Sequence, residues 1–261
     1  MVVFPNAKIN LGLNVIEKRP DGFHNITSCF YPVPWYDALE VIKAKSFAFT
    51  TSGLSIPGKV NICVQAYELL KKDYILPEVS IHLHKNIPIG AGLGGGSADG
   101  AFMLKLLNDK FSLNISPTRL QTYAAMLGSD CSFFMENRPM YIEGKGDIFS
   151  PIDINLVGKY LAIIYPEMHI DTTAAYGAIS PKKPEHHLKY LLETTPLSHW
   201  HESITNDFEG YCADNILAIK DQLYKEGAIY ASMTGSGSAV FGIFSNKPTL
   251  RTTHTYMVAR L

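Results

Sequence analysis

The sequence predicts a mixed fold of strands and helices, α+β in class, and three stretches carry that expectation. Residues 8–15 alternate, with Ile9, Leu11, Leu13 and Val15 on one face and Lys8, Asn10, Gly12 and Asn14 on the other, the period of a strand. Val79, Ile81 and Leu83 alternate in the same way with Ser80, His82 and His84. Soon after comes Pro88-Ile89-Gly90-Ala91-Gly92-Leu93-Gly94-Gly95-Gly96-Ser97, and beyond it Ala98, Ala101, Phe102, Leu104 and Leu107 form a broad apolar helical face. Ser97 is the expected N-cap of that helix. The glycines therefore join a strand to a helix.

Glycines at such a junction let backbone N–H groups crowd an anion, and the helix N-terminus adds uncapped donors and partial positive charge. A phosphate is the natural guest. Gly90, Gly92 and Gly95 fit the dinucleotide spacing G-x-G-x-x-G, but that fold needs an acidic residue closing the next strand about 20 residues on. The region after the helix reads instead as a loop and another helix. Residues 90–97 also stand one residue from a P-loop, with Gly96 where its lysine belongs. A nucleoside triphosphate held here needs a cation from elsewhere in the chain. The remaining alternative, a purely structural turn, carries an entropic cost that a plain turn does not require.

The 261 residues can bury a substantial core, as one large domain or two modest ones. Lys+Arg 23 against Asp+Glu 24 leaves a net charge of −1, which speaks against a nucleic-acid surface. Hydrophobic content of 46% with 18% charged residues is that of a globular protein. No run of about 18 apolar residues and no secretory signal is found, so a cytoplasmic protein without membrane contact is expected. Cys29, Cys63, Cys131 and Cys212 lie far apart with no C-x-x-C spacing, the pattern of buried free thiols.

In chain order, Lys8 and Asn10 point the same way from their strand and could reach one ligand; otherwise Lys8 is a solvated strand residue. Arg19-Pro20-Asp21-Gly22 is a turn, after which Phe23 and His24 open a strand. This aromatic and imidazole could hold a planar base, or be core and surface. Residues 35–50 read as irregular short strands, and 61–72 as a helix. Ser116 and Pro117 cap and open a helix to Leu127, ended by Gly128. Asp130 then stands before Phe133-Phe134, either as a chemical group or as the cap of another short helix. Residues 144–151 are turn-rich and read as the approach to a domain boundary. A strand follows over 161–165, then a helix capped by Asp171 or Thr172 that carries Tyr176. Asn206-Asp207-Phe208-Glu209 precedes a helix through Tyr224, and Thr234-Gly235-Ser236-Gly237-Ser238 leads into a strand over 239–244. Residues 181–187 read as an exposed loop in which His186 and His187 lack a third metal ligand.

Three blocks in order, Pro5-Asn6-Ala7-Lys8-Ile9-Asn10-Leu11, residues 88–101, and Met233-Thr234-Gly235-Ser236-Gly237, resemble the three motifs of the GHMP kinase superfamily of small-molecule kinases. Lys8-Ile9-Asn10, the turn through His24, Gly128-Ser129-Asp130 and Asn206-Asp207-Phe208-Glu209 are most similar to the branch of it that phosphorylates a small cytidine diphosphate alcohol. The resemblance implies an N-terminal domain over 1–155 like the second domain of ribosomal protein S5. It implies a ferredoxin-like C-terminal domain over 156–261 and an active site between the domains, whereas the last strand, with the chain ending at Leu261, is expected to be short. ATP and Mg²⁺ are the implied cofactors, with no metal ligand assigned, and the implied state is a monomer or weak homodimer.

By the same resemblance, Pro88, Gly90, Gly92, Gly94, Gly95, Gly96 and Ser97 hold the ATP phosphates, and Asn61 and Lys85 contact the nucleotide. Asp130 is the catalytic base and Lys8 its charged neighbour. His24 takes the cytosine edge, Asn10 and Thr172 the rest of the substrate, while Phe23 and Tyr176 supply aromatic faces. The chain departs from the family in having Phe23 for tyrosine, Asp147 for glutamate, and Asp99 where a small or amide residue is common. Rival readings are another kinase of the superfamily, for homoserine, mevalonate or a sugar, which Phe23-His24 argues against, and a non-catalytic nucleotide- or RNA-binding module.

Overall fold

Local chemistry sets most helix ends in the computed structural model, which describes residues 1–58, 60–168 and 170–261. In chain order the elements are β1 (Val2–Val3), β2 (Asn6–Lys18), β3 (His24–Tyr36), β4 (Ala38–Lys43), β5 (Ala48–Gly53), α1 (Ile62–Lys71), β6 (Val79–Lys85), α2 (Gly95–Lys110), α3 (Pro117–Leu127) and α4 (Ser129–Glu136). There follow β7 (Met140–Glu143), β8 (Ile148–Pro151), β9 (Tyr160–Tyr165), α5 (Thr172–Ala178), α6 (Leu188–Thr194), α7 (Trp200–Ser203), α8 (Asp214–Lys225), β10 (Tyr230–Met233), β11 (Val240–Phe244) and β12 (Thr255–Arg260). The chain divides into two compact units. One comprises Met1–Ala7, Trp35–Ile89 and Gly94–Arg138, the other Lys8–Pro34, Gly90–Leu93 and Pro139–Leu261.

The first unit holds a sheet of order β1-β4-β6-β5, in which β4 pairs antiparallel and β5 parallel with β6. Register sets Leu39 opposite Leu83 and Val41 opposite Ile81, and all four are fully buried. Helix α1 starts as expected, because the Asn61 side chain accepts the Cys63 N–H at 2.8 Å, and it buries Cys63, Ala66, Tyr67 and Leu70. Helix α3 has the Ser116 cap and Pro117 first turn read from the sequence. Helix α2 begins earlier than expected. Its N-cap is Gly94 at φ 68°, and Ser97 lies inside the first turn. The left-handed backbone at Gly94, costly for any residue with a Cβ, turns the chain into the helix before a hydroxyl cap is needed.

In the second unit, β2, β3, β7 and β8 form one sheet and β10, β11, β9 and β12 another, in those orders. Residues 144–147 form the turn of the β7–β8 hairpin, with Glu143 opposite Ile148, so the turn signals there mark a hairpin within the unit. Strand β12 pairs with β9 from Thr255 to Arg260 and is not short. Leu13, Val15, Ala162, Ile164, Phe208, Ile216, Leu223, Met233 and Val240 share one core. Strand β2 is buried on both faces at its start, where Lys8 is 3% and Asn10 1% exposed. No described helix is long and apolar enough to cross a membrane.

Candidate active site

In the first unit the sequence-predicted residues lie at the starts of α1, α2 and α4 and where the chain leaves β6. Gly94 caps α2 without a side-chain hydrogen bond to its first turn, so the side chains leave the N–H groups of that turn to a guest. Gly95 is buried, whereas Gly96 is exposed, and a Cβ built on Gly96 meets nothing within 4 Å. Ser97 is half-buried beside the Cys131 thiol, whose pKa burial pushes up to about 12. Pro88 is buried where the chain leaves β6. Lys85 is buried and donates to Asp37 Oδ2 at 2.5 Å and Asp99 Oδ2 at 2.7 Å. The side chain of Asn61 caps α1.

Asp130 lies in the first turn of α4, half-buried, and the N-cap there is Gly128. Asp130 is therefore not the capping residue. A carboxylate in a first turn is favoured by the helix dipole.

In the second unit, Lys8 and Asn10 meet around Gly92. Lys8 Nζ donates to the Gly92 carbonyl at 2.9 Å and to Asn10 Oδ1 at 2.7 Å, and lies 4.6 Å above the Phe30 ring. Asn10 Nδ2 donates to Ser28 Oγ at 2.9 Å, and the Asn10 N–H to Thr234 Oγ1 at 3.0 Å. The Thr234 hydroxyl is in turn 3.1 Å from the Gly92 carbonyl. Gly92 permits this closeness: at φ +76°, a Cβ there would sit 2.0 Å from the Thr234 carbonyl oxygen. Lys8, Asn10 and Thr234, from opposite ends of the chain, thus share one buried polar knot. That arrangement rules out a solvated Lys8, because an ammonium desolvated to this degree requires partners.

The aromatic candidates separate. His24, the first residue of β3, stacks on Tyr176 of α5, and Phe208 meets Tyr176 edge-on. Phe23 is 56% exposed and lies under the Lys145 ammonium at 5.1 Å. Thr172 Oγ1 is 3.1 Å from Ser236 Oγ in the second glycine cluster, on a helix that Asp171 caps through the Ala174 N–H at 2.7 Å.

Sequence reasoning quoted Asn206-Asp207-Phe208-Glu209 without giving its residues roles. Asn206 Nδ2 donates to the carbonyls of Met233 and Gly235, each at 2.8 Å. Asp207 Oδ2 accepts the Val15 N–H at 2.7 Å. Glu209 accepts Ser232 Oγ and the Met233 N–H, each at 2.8 Å, and Lys220 Nζ at 2.5 Å. The motif is a clasp that fixes β2 and the Thr234 loop. A signal was present, four adjacent residues with three hydrogen-bonding side chains and no amphipathic period. Asp37 was missed altogether, with nothing local to mark it.

The chain is similar to known proteins over most of its length. Residues 61–137 match the model for the GHMP kinases N terminal domain and residues 189–253 that for the GHMP kinases C terminal domain. A 4-diphosphocytidyl-2-C-methyl-D-erythritol kinase of Cytophaga hutchinsonii is 52% identical over 254 residues, 95% of this chain and 94% of that one. The enzyme of the same name from Bacteroides fragilis is 50% identical, covering 94% of this chain and 92% of its own. A crystal structure of 4-(cytidine 5'-diphospho)-2C-methyl-D-erythritol kinase superimposes with a TM-score of 0.79 at 29% identity, over 93% of this chain and 90% of that one. Motifs, two-domain α+β architecture and near full-length relatives converge, and the chain belongs to the GHMP kinase family.

Proposed function

We propose that this chain is an ATP-dependent kinase that phosphorylates the 2-hydroxyl of 4-diphosphocytidyl-2-C-methyl-D-erythritol, in the cytoplasm and in the non-mevalonate isoprenoid pathway. The observation that carries the reading is the uncapped first turn of α2, with open space at Gly96, in a chain whose relatives at about half identity bear that enzyme's name. Phosphoryl transfer requires in-line placement, neutralised phosphate charge and a base for the attacking hydroxyl. Residues 88–97 take the phosphates, through backbone N–H groups at every position but Pro88, with Asn61 and Lys85 serving the nucleotide, Lys85 from beneath the helix start. Lys8 supplies the positive charge that the loop lacks, held ready by Asn10 and the Gly92 carbonyl. Asp130 accepts the proton of the 2-hydroxyl as the bond to phosphorus forms.

Mg²⁺ would come in on the nucleotide, since it is commonly held by one or two carboxylates together with substrate phosphates and water. Bound in this way it would neutralise phosphate charge. His24 and Tyr176 receive the cytosine, and Thr172, Asn10 and Phe23 serve the rest of the substrate.

The finer fold assignment is an S5-like N-terminal domain over 1–155 and a ferredoxin-like C-terminal domain over 156–261. The sheet order β10-β11-β9-β12 supports the second of these, and the two family-model matches fall on either side of residue 155. The working form is a monomer or weak homodimer. Initial rates with ATP and Mg²⁺ test the function: the cytidine alcohol is expected to be phosphorylated, with homoserine, mevalonate and sugars inert. Turnover of one of those instead would assign the chain to another branch of the family.

A further inference from the structure

Beneath the first turn of α2, three buried side chains bring two acids to one base. Lys85, at the end of β6, donates to Asp37 and to Asp99, and each of the three side chains is at most 3% exposed. Asp37 Oδ1 also accepts the N–H groups of Asn86 at 2.6 Å and Ile87 at 2.8 Å, fastening the chain where it leaves β6. Asp99 stands on α2, one turn beyond Gly95, and its Oδ1 is buried without a hydrogen-bond partner among the described residues. A Cβ on Gly95 would lie 3.1 Å from Lys85 Nζ, so the ammonium backs the opening turn of the helix. The cluster thus ties the entrance of the glycine stretch to its exit.

One ammonium cannot balance two carboxylates in a site this dry, because an uncompensated buried charge is strongly unfavourable and neighbouring acids resist joint ionisation. Asp37 receives the ammonium and two backbone N–H donors, all suited to a carboxylate. Asp99, with an orphaned oxygen, is the acid left to carry a proton. Burial holds its carboxyl well above the ordinary range against the pull of Lys85, and the charge of Asp37 pushes the same way. Burial alone would lower Lys85, but the two acids outweigh it and raise the ammonium. The Cys63 thiol, facing the cluster from α1, is pushed far up by burial and contributes no charge.

We propose that Asp99 is a positioning residue for nucleotide binding, held as the neutral acid, so that the Asp37–Lys85–Asp99 cluster carries no net charge beneath the turn that takes the phosphates. The proposal rests on reading that turn as the phosphate site. Loss of the Asp99 proton as pH rises would leave a buried negative charge facing an anionic guest. Nucleotide binding and protonation of Asp99 therefore favour one another, and by linkage each strengthens the other equally.

The test uses the full chain and ADP as probe, with dissociation constants measured by calorimetry from pH 6 to 9 for wild type and Asp99→Asn, which keeps the shape and removes the charge. The ionisation of ADP cancels in the ratio of the two constants. That ratio, wild type over variant, is expected near one at pH 6 and to rise to about fivefold at pH 9, the scale of one partly screened unit charge. A ratio that stays flat overturns the proposal. Should Asp99→Asn fail to fold, wild type at pH 8 in two buffers of different ionisation enthalpy serves, with proton uptake on ADP binding expected and release or no exchange contradicting it. Absence of ADP binding to wild type would instead overturn the phosphate reading on which the proposal rests.

Discussion

His24 and Tyr176 stack ring on ring, centroids 5.0 Å apart and planes 21° from parallel. Phe208 braces Tyr176 from the side, edge-on at 4.9 Å and 89°. The first residue of β3, the middle of α5 and the clasp motif thus hold the imidazole plane in one orientation. A fixed imidazole suits recognition of a base edge, because one ring nitrogen donates and the other accepts in the neutral tautomer. Cytosine and uracil differ in just that pattern at their edges.

The uridine analogue of the substrate is accordingly expected to be turned over poorly. A mismatched edge leaves a buried donor or acceptor unpaired, at about 1–3 kcal/mol for each group. His24→Ala should weaken the cytidine substrate by a comparable amount and leave ATP unaffected, and Tyr176→Ala should do likewise through lost stacking. Paired titrations of His24→Ala with each ligand check this. Equal losses for both ligands, or none, would make His24 a structural residue.

Gly96 separates a binding role from a folding role. Its substitution by alanine meets open space and replaces a poor helix former with the best one, a gain of up to about 1 kcal/mol. Gly96→Ala is expected to melt no lower than wild type, and Gly96→Val to stay folded while losing at least tenfold in ATP affinity. Gly92→Ala should instead unfold more easily, since its Cβ would strike the Thr234 carbonyl. Thermal melts alongside nucleotide titrations distinguish the two, and unchanged ATP affinity in folded Gly96→Val would remove this turn from the phosphate site.

Asn206 is 2% exposed and gives both amide hydrogens to carbonyls of the Thr234 loop. Asn206→Asp would set a carboxylate oxygen against those two carbonyls. Urea unfolding should show a loss of more than about 2 kcal/mol, the scale of an unsatisfied buried polar group next to a charge. A midpoint shift below that scale would mean that the clasp does not hold the loop.

Helix ends were legible wherever the determining groups are sequence neighbours. Asn61, Ser116 and Asp171 each cap the helix they precede, because a short polar side chain before an apolar period leaves few alternatives. The start of α2 was misjudged at Ser97 since a left-handed glycine can turn the chain as well as a hydroxyl can cap it, and three consecutive glycines hide which one does. Lys8 and Asn10 were recognised on one face of a strand, but their burial depends on Thr234, at the far end of the chain. Asp37 meets Lys85 across 48 residues, and no local pattern announces such a pairing. Contacts between residues far apart in the chain thus leave no mark on local periodicity.

The proposed phosphoryl transfer, with Asp130 as base and Lys8 as its electrostatic partner, is tested most directly by following the product. The measurement is ³¹P NMR of 4-diphosphocytidyl-2-C-methyl-D-erythritol incubated with ATP and Mg²⁺, with wild type, Asp130→Asn and Lys8→Met run side by side. Wild type should form a new phosphomonoester at the 2-hydroxyl. Each variant should form it about 10²–10⁴-fold more slowly with little change in substrate Kd, and the double variant should be scarcely slower than either. Near-normal product formation by Asp130→Asn, or no phosphomonoester with wild type, would contradict the assignment.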